Sequence, residues 1–130
     1  MKKIGRSVKF ALKGLRHAYS SDKSFRMEIQ YGLPIYLIVA WLLSPLEPWE
    51  LVVYTFSYLL ILLIELVNTA FETMLNHLHP AEHHLVGKSK DIASAAVFVA
   101  FIFAMIVVCT IASLRFEHHA PYVLGGSVIV

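Results

Sequence analysis

Charge is scarce in this chain of 130 residues, and what there is lies unevenly. Charged residues make up 15% against 58% hydrophobic, and mean hydropathy is +0.66. That balance excludes an ordinary soluble fold of this length and points to a single membrane domain. Cysteine is nearly absent. Cys109 stands alone, which excludes an intrachain disulfide and a cysteine-based metal cluster. It lies within an apolar run and is expected to be a small core residue. A phosphate-cradling loop is missing as well. Gly87-Lys88-Ser89 has the tail of one, but Glu82 stands where its first glycine belongs and no strand precedes it. The motif set of protein kinases is absent. So are internal repeats, low-complexity tracts and a clean apolar leader, because charges interrupt residues 2–16 throughout.

Positive charge is concentrated at one end. Eight of the eleven Lys and Arg residues lie in residues 1–26: Lys2, Lys3, Arg6, Lys9, Lys13, Arg16, Lys23 and Arg26. A basic leader ahead of apolar spans points to a membrane surface and not to nucleic acid. Within it Ile4, Val8, Leu12, Leu15 and Tyr19 recur at spacings of three and four, with Arg6, Lys9, Lys13 and Arg16 largely opposite. This predicts an amphipathic helix lying in the headgroup plane. Ser20-Ser21-Asp22 should end it.

Three apolar runs follow. Ile29 to Leu46 carries no charge and suffices for one span, with a kink expected at Pro34 and a stop at Ser44-Pro45-Leu46-Glu47-Pro48. The second run opens near Trp49, an interfacial anchor, and His79-Pro80 breaks it. Ala81 to Asp91 reads as a polar connection. Ile92 to Leu114 is uncharged and makes the third run, in which Ala96, Ala100 and Ala104 suit close helix contact in lipid. The expected fold is therefore all-α: a surface helix (1–24), membrane helices at 26–46, 49–78 and 90–114, and a tail (115–130) of unassigned structure. The first loop has no Lys or Arg and the second has Lys88 and Lys90, so the N-terminus and second loop are expected in the cytoplasm and the C-terminus outside.

The chemistry concentrates at the end of the second run. Leu51 to Ile64 holds no charge, and then comes Glu65-Leu66-Val67-Asn68-Thr69-Ala70-Phe71-Glu72. At 100° per residue Glu65, Asn68 and Glu72 fall within an arc of about 60°. Ionisable groups at membrane depth are costly, so they face the bundle interior and mark a site; the plainer alternative is a polar packing patch. Glu65 lies ~7–8 Å inside the hydrocarbon edge, where it can reach a lipid hydroxyl as a general base. Glu72, at headgroup level, could hold a divalent ion, since magnesium takes one or two carboxylates together with phosphate oxygens. Asn68 could orient either acid. Lys90 and Asp91 add a cation for phosphate and a further carboxylate. Base, metal and cation together suit phosphoryl transfer at the face where ATP is available. His77, His79, His83 and His84 crowd the second loop but match no defined metal spacing, so interfacial polarity is the favoured reading over a metal-handling or adaptor role.

These residues carry a resemblance. Glu65-Leu-Val-Asn68-Thr-Ala-Phe-Glu72, followed by Lys90-Asp91-Ile-Ala-Ser94-Ala-Ala-Val97, resembles the signature of the prokaryotic diacylglycerol kinase family. Lys13-Gly14-Leu15-Arg16-x-Ala18 and Phe25-Arg26-x-Glu28 are similar to further family segments, and the likeness runs from about Lys3 to about Leu114. The family comprises small three-span kinases of the bacterial inner membrane, including undecaprenol kinases. The resemblance implies ATP as co-substrate, Mg2+, and a homotrimer whose sites are shared between subunits. It puts Glu65 on the catalytic base, Asn68 beside it and Glu72 on a metal ligand. Asp22, a shorter acid, stands where the family has its other metal-binding glutamate, and Glu28 could assist. Lys90 and Asp91 fall on nucleotide contacts. Lys3 stands in place of an arginine and Phe10 in place of a nucleotide-side tyrosine. Ser94, Lys3 and Arg16 fall on the lipid side. Diacylglycerol is the expected acceptor, with undecaprenol as the alternative on the same machinery.

Overall fold

The computed structural model describes residues 1–81 and 83–119, and every element among them is helical. In order these are α1 (Lys2–Ser21), α2 (Lys23–Met27), a π-helical turn (Glu28–Gly32), α3 (Leu33–Leu43), α4 (Pro48–Leu78) and α5 (His84–His119). Two of them, α4 and α5, are long and apolar enough to cross a membrane. They pack along one another and form the spine of the molecule. Ile61 meets Ala100 and Ala104 in one cluster, while Tyr54 meets Val107 and Ile111 in a second one nearer the far end. The small residues let the two backbones approach, as expected in lipid. Ala96, grouped with them in the expectation, is exposed; Val97 is the buried residue of that turn. Cys109 is also exposed, against the expectation of a core position. At 3.6 residues per turn it lies about 160° from the buried Ile111, on the far side of α5. Large apolar residues such as Phe98, Val99, Met105 and Leu63 point outward, the pattern of helices solvated by lipid tails.

Residues 23–43 form one helical path despite the change of hydrogen-bond pattern. Met27, Glu28, Gly32 and Leu33 all keep right-handed helical dihedrals. Pro34 has no N–H to return to the preceding turn. The chain widens there: the Leu33 N–H reaches back five residues to the Glu28 carbonyl. The Tyr58 hydroxyl of α4 donates to the same carbonyl at 2.8 Å. Gly32 gives the Glu28 side chain room to lie against the turn: a Cβ at that position would come within 2.7 Å of Glu28 Oε2 and displace that carboxylate. Tyr36, Tyr54 and Tyr58 stack below the turn, with neighbouring ring centroids 3.9 and 4.7 Å from Tyr36.

The far end is fastened by charge. Glu47 and Glu50 cap the start of α4 reciprocally, Glu50 Oε2 accepting the Glu47 N–H at 2.7 Å. Arg115 of α5 pairs with Glu50 and donates to the carbonyls of Leu43 (3.1 Å) and Pro45 (2.7 Å). One guanidinium thus holds three helix ends together. It also explains why α5 runs past Leu114, where the sequence pattern placed the end of the span: the helix continues to His119, and residues 120–130 of the expected tail lie outside the described residues. At its other end α5 begins at His84 and not near Lys90, so the polar connection is shorter than its composition implied. Nothing between His84 and Asp91 breaks a helix except the single Gly87, a cost of only ~1 kcal/mol.

Arg115→Ala is expected to destabilise the protein by about 3 kcal/mol, the lower end for breaking a buried pair, because Glu50 is 1% exposed and Arg115 is partly open. Thermal unfolding in detergent micelles should show the loss, and a Glu50→Leu/Arg115→Met double variant should recover most of it.

Candidate functional site

The helix α4 brings its acids to the membrane edge by register alone. Glu65, Asn68 and Glu72 share one face, and Glu65 to Glu72 spans ~10 Å along the axis. Glu65 is 5% exposed although it is an acid in an apolar helix. It is covered because α2 and α5 lean over this face. A polar cavity of about 270 Å3 results, lined by Asp22, Ser24, Glu65, Asn68, Glu72, Ser94 and Val97. Three carboxylates, a carboxamide and two serines therefore converge from three separate stretches of chain.

Asp22 enters the cavity as an elbow. It is the last cap of α1, its N–H donating to the Ala18 carbonyl at 2.8 Å, and the first cap of α2, its Oδ1 accepting from the N–H groups of Ser24 (2.8 Å) and Phe25 (3.3 Å). Ala18 and Phe25 on either side are buried, and Arg26 closes the end of α1 by donating to the Tyr19 and Ser20 carbonyls at 3.3 Å each. The other carboxylate oxygen of Asp22 accepts from the Thr69 hydroxyl on α4. Asn68 Oδ1 is buried and has no hydrogen-bond partner. An orphaned acceptor of this kind is expensive, and at a polar cavity it marks a place where a bound group completes the network.

The expected site residues divide into two sets. Glu65, Asn68, Glu72, Asp22 and Ser94 come together. Glu28 does not line the polar cavity: it borders an apolar one of about 450 Å3 among Tyr31, Tyr36, Tyr58 and Phe101. Lys90 stands outward of the acids, its Nζ donating to Asn76 Oδ1 at 2.6 Å, one helical turn beyond Glu72. Asp91 is exposed and lines none of the described cavities. Lys3 and Phe10 lie along α1; Phe10 and Arg16 line a shallow surface depression with Lys13 and His17, away from the acids. The surface helix buries only Ala18 and leaves its apolar stripe uncovered, so these residues have nothing in this chain to complete them. Ser24, Thr69 and Val97 belong to the cavity region but were not singled out from sequence. Asp22 followed by Ser24 has the spacing of a helix cap, and Thr69 lies one turn after Glu65, so both carried a readable signal.

Hard oxygen donors dominate the cavity, which suits magnesium and not a softer metal. No group of three or more His, Cys, Asp or Glu is gathered as a ready metal cluster among the described residues. The donors present fit an ion that shares its coordination with phosphate oxygens, since such sites need only one or two carboxylates.

An all-helical membrane protein with a carboxylate-lined cavity at the end of its central helix is the class these observations define. The sequence profile of the family described as prokaryotic diacylglycerol kinase matches residues 9–112, and the chain belongs to that family. A protein of Escherichia coli strain K12 named diacylglycerol kinase is 32% identical over 107 residues, covering 82% of this chain and 86% of its own length. One of the same name from Haemophilus influenzae is 33% identical over 107 residues, with coverage of 78% and 84%.

Asn68→Leu should leave thermal stability unchanged or raise it by up to about 1 kcal/mol, because it removes a buried acceptor that nothing satisfies. A loss of stability in micelles would mean that Asn68 holds the fold and is not reserved for a ligand.

Proposed function

We propose that the protein is an ATP-dependent lipid kinase that phosphorylates the hydroxyl of diacylglycerol to give phosphatidate. The observation that carries this reading is the convergence of Glu65, Asn68, Glu72, Asp22 and Ser94 on one polar cavity at the end of a membrane helix. Membership of the family and the name shared by its relatives support it.

Glu65 lies deepest and acts as the general base. It takes the proton from the lipid hydroxyl as that oxygen forms its bond to the γ-phosphorus, while the bond from γ-phosphorus to the bridging oxygen breaks and ADP departs. Asn68 orients Glu65 or the acceptor oxygen through its unspent carboxamide oxygen. Glu72 and Asp22 hold magnesium, which when bound neutralises the triphosphate charge. Ser94 lies across the cavity on α5, where it can hold the lipid headgroup. Lys90, one turn outward, meets the more distant phosphates, and Asp91 borders the nucleotide. The cavity admits only the phosphate end of a nucleotide, since whole small-molecule sites run to about 300–1,000 Å3.

The remainder of the nucleotide and lipid surface comes from a neighbouring copy. This accounts for Lys3, Phe10 and Arg16 lying away from the acids of their own chain, and the assembly is a homotrimer. Glu28, set at the apolar cavity, supports the fold of the first span and is a lesser candidate for the metal. Residues 23–43 supply that third crossing, ~31 Å of helix. The N-terminus, the cavity and the α4–α5 connection face the cytoplasm, and the C-terminus lies outside, in a bacterial inner membrane.

Purified protein in mixed micelles with labelled ATP and either diacylglycerol or undecaprenol tests the reading directly. Diacylglycerol should be labelled by far the faster; a large preference for the polyprenol would overturn the choice of substrate. Glu65→Gln should lower turnover by about 10²–10⁴, the usual contribution of a positioned base, with the melting temperature retained. Undiminished lipid phosphorylation in that variant would remove Glu65 as the base.

A further inference from the structure

The carboxylate of Asp22 is almost fully committed before any ligand arrives. An ionised carboxylate has about four acceptor sites. Oδ1 uses both of its own on the Ser24 and Phe25 N–H groups, and Oδ2 accepts from Thr69 Oγ1. One acceptor position remains toward the cavity that Asp22 lines. Thr69, for its part, has a single hydroxyl proton and two acceptors within reach, its own helix's Glu65 carbonyl at 2.9 Å and the Asp22 carboxylate. The charged acceptor is the stronger, so the proton goes to Asp22. Thr69 is buried, at 9% exposure, and water therefore does not compete freely for it.

The location gives this bond its consequence. Asp22 is the one residue between α1 and α2, extended at φ −103° and ψ 118° between two helices. Fixing Asp22 therefore helps to set the angle at which the surface helix leaves the membrane bundle, together with the bonds from Arg26 and Gln30 to the last turn of α1. The side chain of Thr69 reaches it from the acid-bearing helix, one turn after Glu65 and three residues before Glu72. We propose that Thr69 is a positioning residue: its hydroxyl latches the Asp22 elbow to α4, so that one hydrogen bond sets both the stance of the surface helix and the single lone pair Asp22 offers to a cation. The second half of this statement rests on the kinase reading given above; the first half does not.

Two readouts separate those halves. Hydrogen exchange of the full-length protein in micelles reads the latch. Thr69→Val, which keeps the shape and removes the hydroxyl, should speed exchange in residues 18–25 about tenfold while leaving residues 98–110 unchanged, as expected for local opening of one unit. Thr69→Ser should restore wild-type exchange. Protection in Thr69→Val equal to wild type, or exchange in Thr69→Ser as fast as in Thr69→Val, would overturn the latch. Lipid phosphorylation titrated with Mg2+ reads the effect on the site. In Thr69→Val the Mg2+ concentration for half-maximal rate should rise about tenfold, the scale on which loss of a ligand's supporting hydrogen bond acts, with the KM for lipid unchanged and Thr69→Ser near wild type. A fall in kcat with no change in Mg2+ dependence would overturn the positioning role. If the wild-type protein phosphorylates neither lipid, the kinase reading fails, and the exchange experiment still decides the latch.

Discussion

Keeping an acid inside a membrane helix is the constraint on which this architecture turns. A carboxylate that faced lipid tails from position 65 would cost several kcal/mol, so the face that carries Glu65 has to be covered. It is covered by two elements that arrive from opposite directions in sequence, the elbow at Asp22–Phe25 and the start of α5 at Ser94–Val97. Both covering segments bring polar groups of their own. The cavity is polar because its walls must answer Glu65, and Val97 is its one apolar lining residue. Burial and chemistry therefore have the same cause.

The opposite end of the bundle solves a related problem by other means. There Glu50 is equally buried, but it is matched by the Arg115 guanidinium and by the cap it forms with Glu47. The groups serve to tie Leu43, Pro45 and the start of α4 to the end of α5. The two ends differ in one respect that decides their roles. At the Glu50 end acid is paired with base; at the Glu65 end three acids gather with no cation lining the cavity. Like charges gathered at one cavity repel one another, most strongly at the buried Glu65. The paired end holds shape, whereas the acid-rich end leaves its cavity without a counter-charge among the lining residues.

Much of this was legible in the chain itself. Register placed Glu65, Asn68 and Glu72 on one face because helical geometry leaves no freedom once the helix is granted. The break at His79-Pro80 and the elbow at Asp22 followed from residues that either cannot continue a helix or cap one. What periodicity could not convey was extent. The helix α5 takes in His84 to Asp91 although they are polar, because polarity does not by itself stop a helix and only Gly87 weakens it. A π-turn precedes Pro34, where Gly32 leaves room for the Glu28 side chain and Tyr58 satisfies the Glu28 carbonyl. Tyr58 is remote in sequence and is not visible from the residues around Pro34. Glu28, matched through the Phe25-Arg26-x-Glu28 segment, borders an apolar cavity that Tyr31, Tyr36, Tyr58 and Phe101 also line, and its sequence neighbours do not reveal that setting. Cys109 and Ala96 failed differently, since an apolar run does not reveal which of its faces meets protein and which meets lipid.

The surface helix carries the argument one step further. Its apolar stripe, Ile4, Val8, Leu12 and Leu15, is open along its whole length, while its basic side chains stand free. Beyond the groove its second half shares with α4, the helix is held at its C-terminal end. That end is Asp22, whose backbone closes α1, whose side chain opens α2, and whose second carboxylate oxygen takes the Thr69 proton. The leverage is considerable, because ~30 Å of helix extends from a single residue. A few degrees of rotation at the elbow would move Lys3 by more than an ångström while leaving Glu65 and Glu72 where they are. Glu65 and Glu72 belong to α4 and most of the basic side chains to α1, and the Asp22–Thr69 bond ties the two elements together beside the Arg26 and Gln30 bonds to the end of α1.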